Sequence, residues 1–560
     1  MPDRRDFLKL LGALGLGALG SAVVDILTTK PIIKPAEAPQ QVVQPYYSVM
    51  VQTPQGPNGP RPMVVSADGE VIVDENGRIV SDLGVYPTEG VNELGGYTQT
   101  AGIQEAIAYL LNTGGGVAFI RRGDYYPCKV IHVGVIKRQV QVIIQGEGLA
   151  TRIHLYNNTG RGMAWAFTVG TPGNSPTADQ APPPIFRDLT FVNDVNEGPP
   201  VGPMVTGGYY TGGGAVGNGV ILEDITVIDP PSLANKPGTP PSGIGWIWFN
   251  NSYGIRVRGF TYLGANPNSS GSTVIVSDGV TFTEIDESFF ISTARGGVAV
   301  SSGTGTIQIT NTQILGFNVG VNYGNTDGRS KLMTTNVVIG TDRGGVEAYG
   351  AQLFVNTPIY VDYGFIDALI CCSRLGGVIK LLDSVSRINI SDSEVHSLTI
   401  ETITKNSPQS DLLLTIEGSR ITGSGSGPLI NIPQEYATNS TIRVRLINNE
   451  ISKQASSGEW PLVTVPNNVV FEMRGNYVRM LNGFDVIIGL SQDLTSGFYE
   501  FSDNIIEAEA QPIYLLNGGV AINAPFIVSG NKFLTQTQLY KTPPTAQGGL
   551  MVSNNLNLVT

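Results

Sequence analysis

Histidine and cysteine are scarce in this 560-residue chain, with three of each. Cys128, Cys371 and Cys372 give neither a disulfide framework nor a zinc-ligand spacing, and the expectation is small buried hydrophobes. His132, His154 and His396 are scattered, which argues against a His-rich metal site or a Ser-His-Asp triad. His396, close to Asp392 and Glu394, is the best placed of them for chemistry. Charge is thin as well: 14% of residues, with a net charge of −12. That acidic balance argues against nucleic acid or an anionic membrane surface as a partner. Helical stretches of about 10–15 residues between apolar runs are missing too, which disfavours leucine-rich and helical solenoids.

What the chain has in quantity is turn residues, 70 Gly and 35 Pro, and a repeat. Short apolar strands flank small polar corners: Arg187-Asp188-Leu189, Glu223-Asp224-Ile225, Arg258-Gly259-Phe260, Glu287-Ser288-Phe289 and Asn311-Thr312-Gln313. The series continues at Thr335-Asn336-Val337, Asn356-Thr357-Pro358, Asp392-Ser393-Glu394 and Gly418-Ser419-Arg420. It ends at Asn448-Asn449-Glu450, Gly475-Asn476-Tyr477, Asp503-Asn504-Ile505 and Gly530-Asn531-Lys532. Between the middle residues the steps run from 21 to 36. Asn, Gly, Asp and Ser tolerate a left-handed backbone or hydrogen-bond it locally. The flanking segments, such as Phe526–Phe533, alternate at period 2 and are rich in β-branched and aromatic residues, so they read as strands. One coil of short strands fits each step, whereas propeller blades need about 40 or more residues. The expected fold is all-β: a right-handed, single-stranded parallel β-helix with an N-terminal capping helix.

Arg4-Arg5-Asp6-Phe7-Leu8-Lys9 before the apolar Leu10–Leu27 run resembles a twin-arginine export signal, departing only at Asp3. Ala36-Glu37-Ala38 is a candidate cleavage site, although Pro39 after it is unfavourable and leaves uncleaved anchoring open. The expected organisation is a signal over 1–38, a linker and hairpin over 39–98 (Asn76-Gly77 at the turn), the β-helix over 99–537 and a tail over 538–560. Residues 100–111 place Ile103, Ile107, Leu110 and Leu111 on one helical face, and Gly114–Gly116 ends it.

Ile103-Gln-Glu-Ala-Ile107, the glycine cluster, Arg121-Arg-Gly-Asp-Tyr125, Gly146-Glu-Gly148 and Thr151-Arg-Ile153 together resemble the opening of the pectate lyase-like superfamily. Arg121 stands where that family has proline. The resemblance implies a helix capping a right-handed β-helix. It also implies an exported protein acting on an extracellular polysaccharide, as a lyase or a glycoside hydrolase. The polygalacturonase signatures Gly-His-Gly and Asp-Asp are absent from the sequence, which keeps a non-catalytic adhesive β-helix as the alternative.

Pro/Gly-rich insertions over 193–219 and 229–245 would wall a groove, and Tyr209, Tyr210, Trp246 and Trp248 in or beside them are candidate sugar platforms. Core packing is the plainer alternative for each Trp. Asp194 and Asp229 with Glu347 are candidates for the paired carboxylates of a hydrolase. Arg295 and Arg343, in echoing Arg-Gly-Gly-Val turns, are candidates with Asp286 and Glu287 for a lyase. The plainer alternative is a solvated face of mutually paired charges. No cofactor is fixed by the sequence; calcium, held by carboxylates and carbonyls, is the one this reading admits. The expected partner is a polysaccharide, with no nucleic acid, and with a membrane only through an uncleaved N-terminus. The oligomeric state is left open.

Overall fold

Burial alternates along the strands in the computed structural model, as in Val142–Gln145, Val220–Glu223 and Leu412–Glu417, because successive side chains leave a strand on opposite faces. The model describes residues between Tyr46 and Val559. It leaves out 1–45 and 75–102 and, among other stretches, 156–164, 170–181, 194–201, 207–218, 230–246, 265–272, 293–297, 340–356 and 402–411. The export signal and its cleavage site lie outside the described residues.

The chain divides into two compact units, Met1–Ser301 with Thr312–Asn318 and Arg343–Leu353, and Ser302–Asn311 with Val319–Asp342 and Phe354–Thr560. Each is a stretch of parallel β-solenoid. In the first, Gly116–Phe119, Val142–Gln145, Ile185–Arg187, Val220–Glu223, Gly254–Arg258 and Phe282–Asp286 pair in parallel, one strand per coil. A second row runs Gly123–Tyr125, Thr151–Leu155, Thr190–Asn193, Thr226–Asp229, Thr261–Gly264, Phe289–Ser292 and Gln313–Leu315. In the second unit the corresponding rows run from Thr306–Thr310 to Leu550–Ser553 and from Val338–Ile339 to Leu556–Val559. The last coil therefore passes the expected end at 537: Leu550–Ser553 pairs with Phe526–Ser529 around a corner at Asn554.

The bore is apolar. In the first unit it includes a set of large aromatics, with Tyr125, Phe167, Phe186, Phe191, Phe260, Tyr262 and Phe290 fully buried. Phe167 meets Phe186 edge-on at 5.2 Å. Each such side chain contributes about 1.5–3 kcal/mol by leaving water. Ile103, Ala106, Ile107 and Leu110 are helical and buried. Their helix stops at Gly115, whose N–H donates to the Leu110 carbonyl at φ 92°, one residue before the first strand.

Most corners fall where the polar triplets predict, and at each described one a single residue takes a left-handed backbone: Asp188, Asp224, Gly259 and Glu287 in the first unit, and Asn311, Asp392, Gly418, Asn448, Gly475, Asp503 and Gly530 in the second. At Gly530 a side chain is excluded twice over, since φ is 68° and an added Cβ would sit 2.3 Å from Asp503 Oδ1. Two expectations are corrected. Thr357–Val361 is a strand, paired with Val319–Tyr323, so Asn356-Thr357-Pro358 is not a corner; the corner is Cys372, at φ 53°. Arg374-Leu-Gly-Gly-Val378, whose sequence echoes the Arg-Gly-Gly-Val turns expected at Arg295 and Arg343, is not a turn but a bulge inside strand Arg374–Leu382.

Near the N-terminus, Tyr46–Val51, Arg61–Ser66 and Ile72–Asp74 form an antiparallel sheet in which Val65 faces Ile72. Asn76-Gly77 lies outside the described residues, and part of the expected linker and hairpin segment is strand.

Candidate carbohydrate-facing surface

The motif residues of the first coils are tied to one another. Glu147 accepts from the Arg122 backbone N–H and from its guanidinium, both at 3.0 Å. Thr151 Oγ1 accepts from Glu147 N–H and donates to the Ile120 carbonyl. Thr190 Oγ1 donates to Gly148 O, and Gly148 N–H donates to Asp188 O. A Cβ on Gly146 would meet Asp188 O at 2.5 Å, so glycine is required there. These residues brace coil on coil. Beside them, buried His154 lies 2.9 Å from Asp124 Oδ1, with Arg152 at 3.9 Å from the same oxygen. Sequence reading missed this pair, although Asp124 and His154 occupy outward positions of registered strands.

Of the nine expected site residues, Asp194, Tyr209, Tyr210, Trp246, Arg295, Arg343 and Glu347 lie outside the described residues. Asp229 ends strand Thr226–Asp229, opposite Gly264. Its equivalent in the preceding coil is Asn193 rather than Asp194, since each follows the Val192–Ile228 pairing by one residue. Asn193 is fully buried, and its amide has no hydrogen-bond partner among the described residues. Trp248 is half-buried in Ile247–Asn250, between Val205 and Val276. Asp229 and Trp248 thus stand in different strand rows. Glu287 is the left-handed corner itself, paired with Arg258 at 3.2 Å. Glu287 holds the Arg258 guanidinium above its usual range, first by a hydrogen bond and then by charge. Asp286 sits beside Arg258 in register. Among the described residues no group of three or more His, Cys, Asp or Glu side chains is arranged to hold a metal.

The best-defined outward array among the described residues lies in the second unit. Immediately after the corners, Arg374, Glu394, Arg420, Glu450 and Tyr477 stand in register, one per coil. Arg374 reaches Glu394 at 3.0 Å and Arg420 reaches Glu450 at 3.7 Å. Two residues further on, Ser452, Arg479 and Glu507 form a second lane. Arg479 bridges Glu507 at 3.8 Å and Glu509 at 3.9 Å, while the Tyr477 hydroxyl donates to Glu507. That hydrogen bond, followed by desolvation, raises the Tyr477 phenol above its usual range and keeps it a donor. The signal was present in the sequence: counting alternate residues from Asn476 and Asn504 marks Tyr477, Arg479, Ile505 and Glu507 as outward.

Rungs recur at the strand spacing of about 4.8 Å, close to the advance of one pyranose unit in an extended glycan. The array therefore offers one aromatic ring, guanidinium donors and carboxylate acceptors along one line. Exposed ion pairs of this kind add little to stability, about 0–1 kcal/mol each, and can exchange partners cheaply.

No family model matches this chain, and no curated protein matches it. Among solved structures, the Azotobacter vinelandii mannuronan C-5 epimerase AlgE6 A-module covers 82% of this chain and 94% of its own, at 12% identity and a TM-score of 0.28. The catalytic domain of a GH87 alpha-1,3-glucanase in complex with nigerose covers 63% of each chain at 11% identity and TM-score 0.30. The Streptococcus pneumoniae surface adhesin PfbA covers 81% of this chain and 89% of its own, at 11% and 0.25. Likenesses this low carry no inference about what this chain binds.

Proposed function

We propose that this β-solenoid is exported and binds an extracellular polysaccharide along its outer strand faces. In this reading it is a member of the pectate lyase-like superfamily. Cleavage, as a lyase or glycoside hydrolase, would fall at the loop-bearing coils around Asp229. One observation carries the binding reading: the registered array Arg420–Glu450–Tyr477 with Arg479 and Glu507 alongside. The interlocked motif residues and the Pro/Gly-rich insertions support the superfamily and the groove. The Arg4-Arg5 sequence supports export.

The test uses the purified full chain on a panel of acidic and neutral polysaccharides, with and without calcium. Retardation in affinity electrophoresis reports binding. Ultraviolet absorbance of unsaturated uronates reports lyase action, and new reducing ends report either reaction. Binding with turnover supports the enzyme; binding without turnover supports the adhesive alternative. No binding to any glycan overturns the proposal. Replacing Arg4 and Arg5 with lysine should block export in the host, read as the fraction of protein outside the cytoplasm.

A further inference from the structure

Cys371 ends strand Gly364–Cys371, and Cys372 is the corner that follows. Neighbouring residues on a strand point to opposite faces, which would hold their thiols apart. Here the left-handed backbone of Cys372 turns its side chain back onto the exterior, and the two sulfur atoms lie 2.8 Å apart. Cys371 is half-buried and Cys372 is exposed, so the expectation of buried small hydrophobes fails for both.

The residue type is also out of pattern. Every other described corner in the second unit's strand rows carries Asn, Asp or Gly, which accept a left-handed backbone. Cysteine has no such preference and offers the backbone no local hydrogen bond. Nothing in the turn calls for it. We propose that Cys371 and Cys372 are a redox modification site, closing to a vicinal disulfide with a low-molecular-weight disulfide as oxidant. One thiolate attacks the oxidant, forming a mixed disulfide and releasing one small thiol. The second thiolate displaces the other small thiol as the ring closes. Two protein S–H bonds are lost, one S–S bond is gained, and one oxidant molecule is reduced to two thiols. Exposed rings of this kind are readily reduced again.

The C128S variant, treated with oxidised glutathione, tests this by intact mass and thiol titration. The expected result is a monomer lighter by two hydrogens, with no titratable thiol and with both thiols restored by dithiothreitol. In wild-type protein the tryptic peptide 344–374, which holds both cysteines and excludes Cys128, should be lighter by the same two hydrogens. That second measurement stands even if C128S does not fold. The C128S/C372S variant should stop at a single glutathione adduct on Cys371. Two persistent thiols, a doubly glutathionylated chain or a disulfide-linked dimer would each overturn the proposal.

Discussion

Within the second unit, the corners of two neighbouring stretches are held in different ways. Ser373, Ser393 and Ser419 each donate their hydroxyl to the carbonyl two residues back in their own coil. The Ser393 and Ser419 hydroxyls also accept one N–H from the coil before. Asn449, Asn476, Asn504 and Asn531 reach further. Each Oδ1 accepts the backbone N–H of the preceding ladder residue, as Asn504 does from Asn476 at 2.9 Å. Each Nδ2 donates both to a carbonyl of the coil before and to the next Asn, as Asn504 does to Met473 O and Asn531 Oδ1. Serine ties a coil mostly to itself, whereas asparagine ties three coils together. Because these side chains are buried, an unmet partner costs the full desolvation penalty.

The sharpest way to break that contrast is Asn504→Ala. It strands the Asn476 N–H and the Met473 carbonyl inside the unit and should cost about 4 kcal/mol, read as a drop in the urea midpoint. The next effect separates the uncharged ladder from a lysine buried in the same unit. Lys453 is only 3% exposed, and burial lowers its pKa from 10.5 to about 8. The unfolded chain then binds the extra proton between those values, so stability should climb as pH rises from about 8 to 10.5. Lys453→Met should abolish that climb and raise neutral-pH stability by up to about 3 kcal/mol, while Asn504→Ala should leave the pH slope unchanged. Ser393→Ala removes a single inter-coil bond and should cost about 1.5 kcal/mol; a loss equal to that of Asn504→Ala would erase the distinction. Asn448→Ala, at φ 55° on the exterior, should cost about 1 kcal/mol through the left-handed backbone alone. Arg479→Ala should leave the urea midpoint in place and weaken glycan retention about tenfold, roughly 1.4 kcal/mol.

The corners were legible in the sequence because a left-handed residue next to a buried Ser, Thr or Asn leaves a dipeptide such as Asp392-Ser393 or Asp503-Asn504. Cys372 escaped because cysteine is not a turn former, and Pro358 drew attention to a strand in its place. Asn554 escaped because the pattern was taken to end in a tail. In the first three triplets the left-handed residue is the middle one, and afterwards it is the first, a slip of one that polar residues on both sides disguised. The outward array was harder to see. Arg420, Glu450 and Tyr477 lie 27 to 30 residues apart, and only register makes them neighbours. The motif around Gly146-Glu-Gly148 was visible from the start, but its hydrogen bonds make it a brace for the first coils.

The asparagine ladder also sets how this molecule can change length. Successive rungs are separated by 27, 28 and 27 residues, and Asn476, Asn504 and Asn531 each have an asparagine on both sides in the ladder. Excising residues 476–503 would bring Asn504 under Asn449 with the same partners it lost, so a whole turn can be removed or duplicated without designing a new junction. A cut of half a turn would leave every rung below it facing the wrong mate. Growth and shrinkage of this unit are therefore quantised in whole coils, and its size can be set by counting corners.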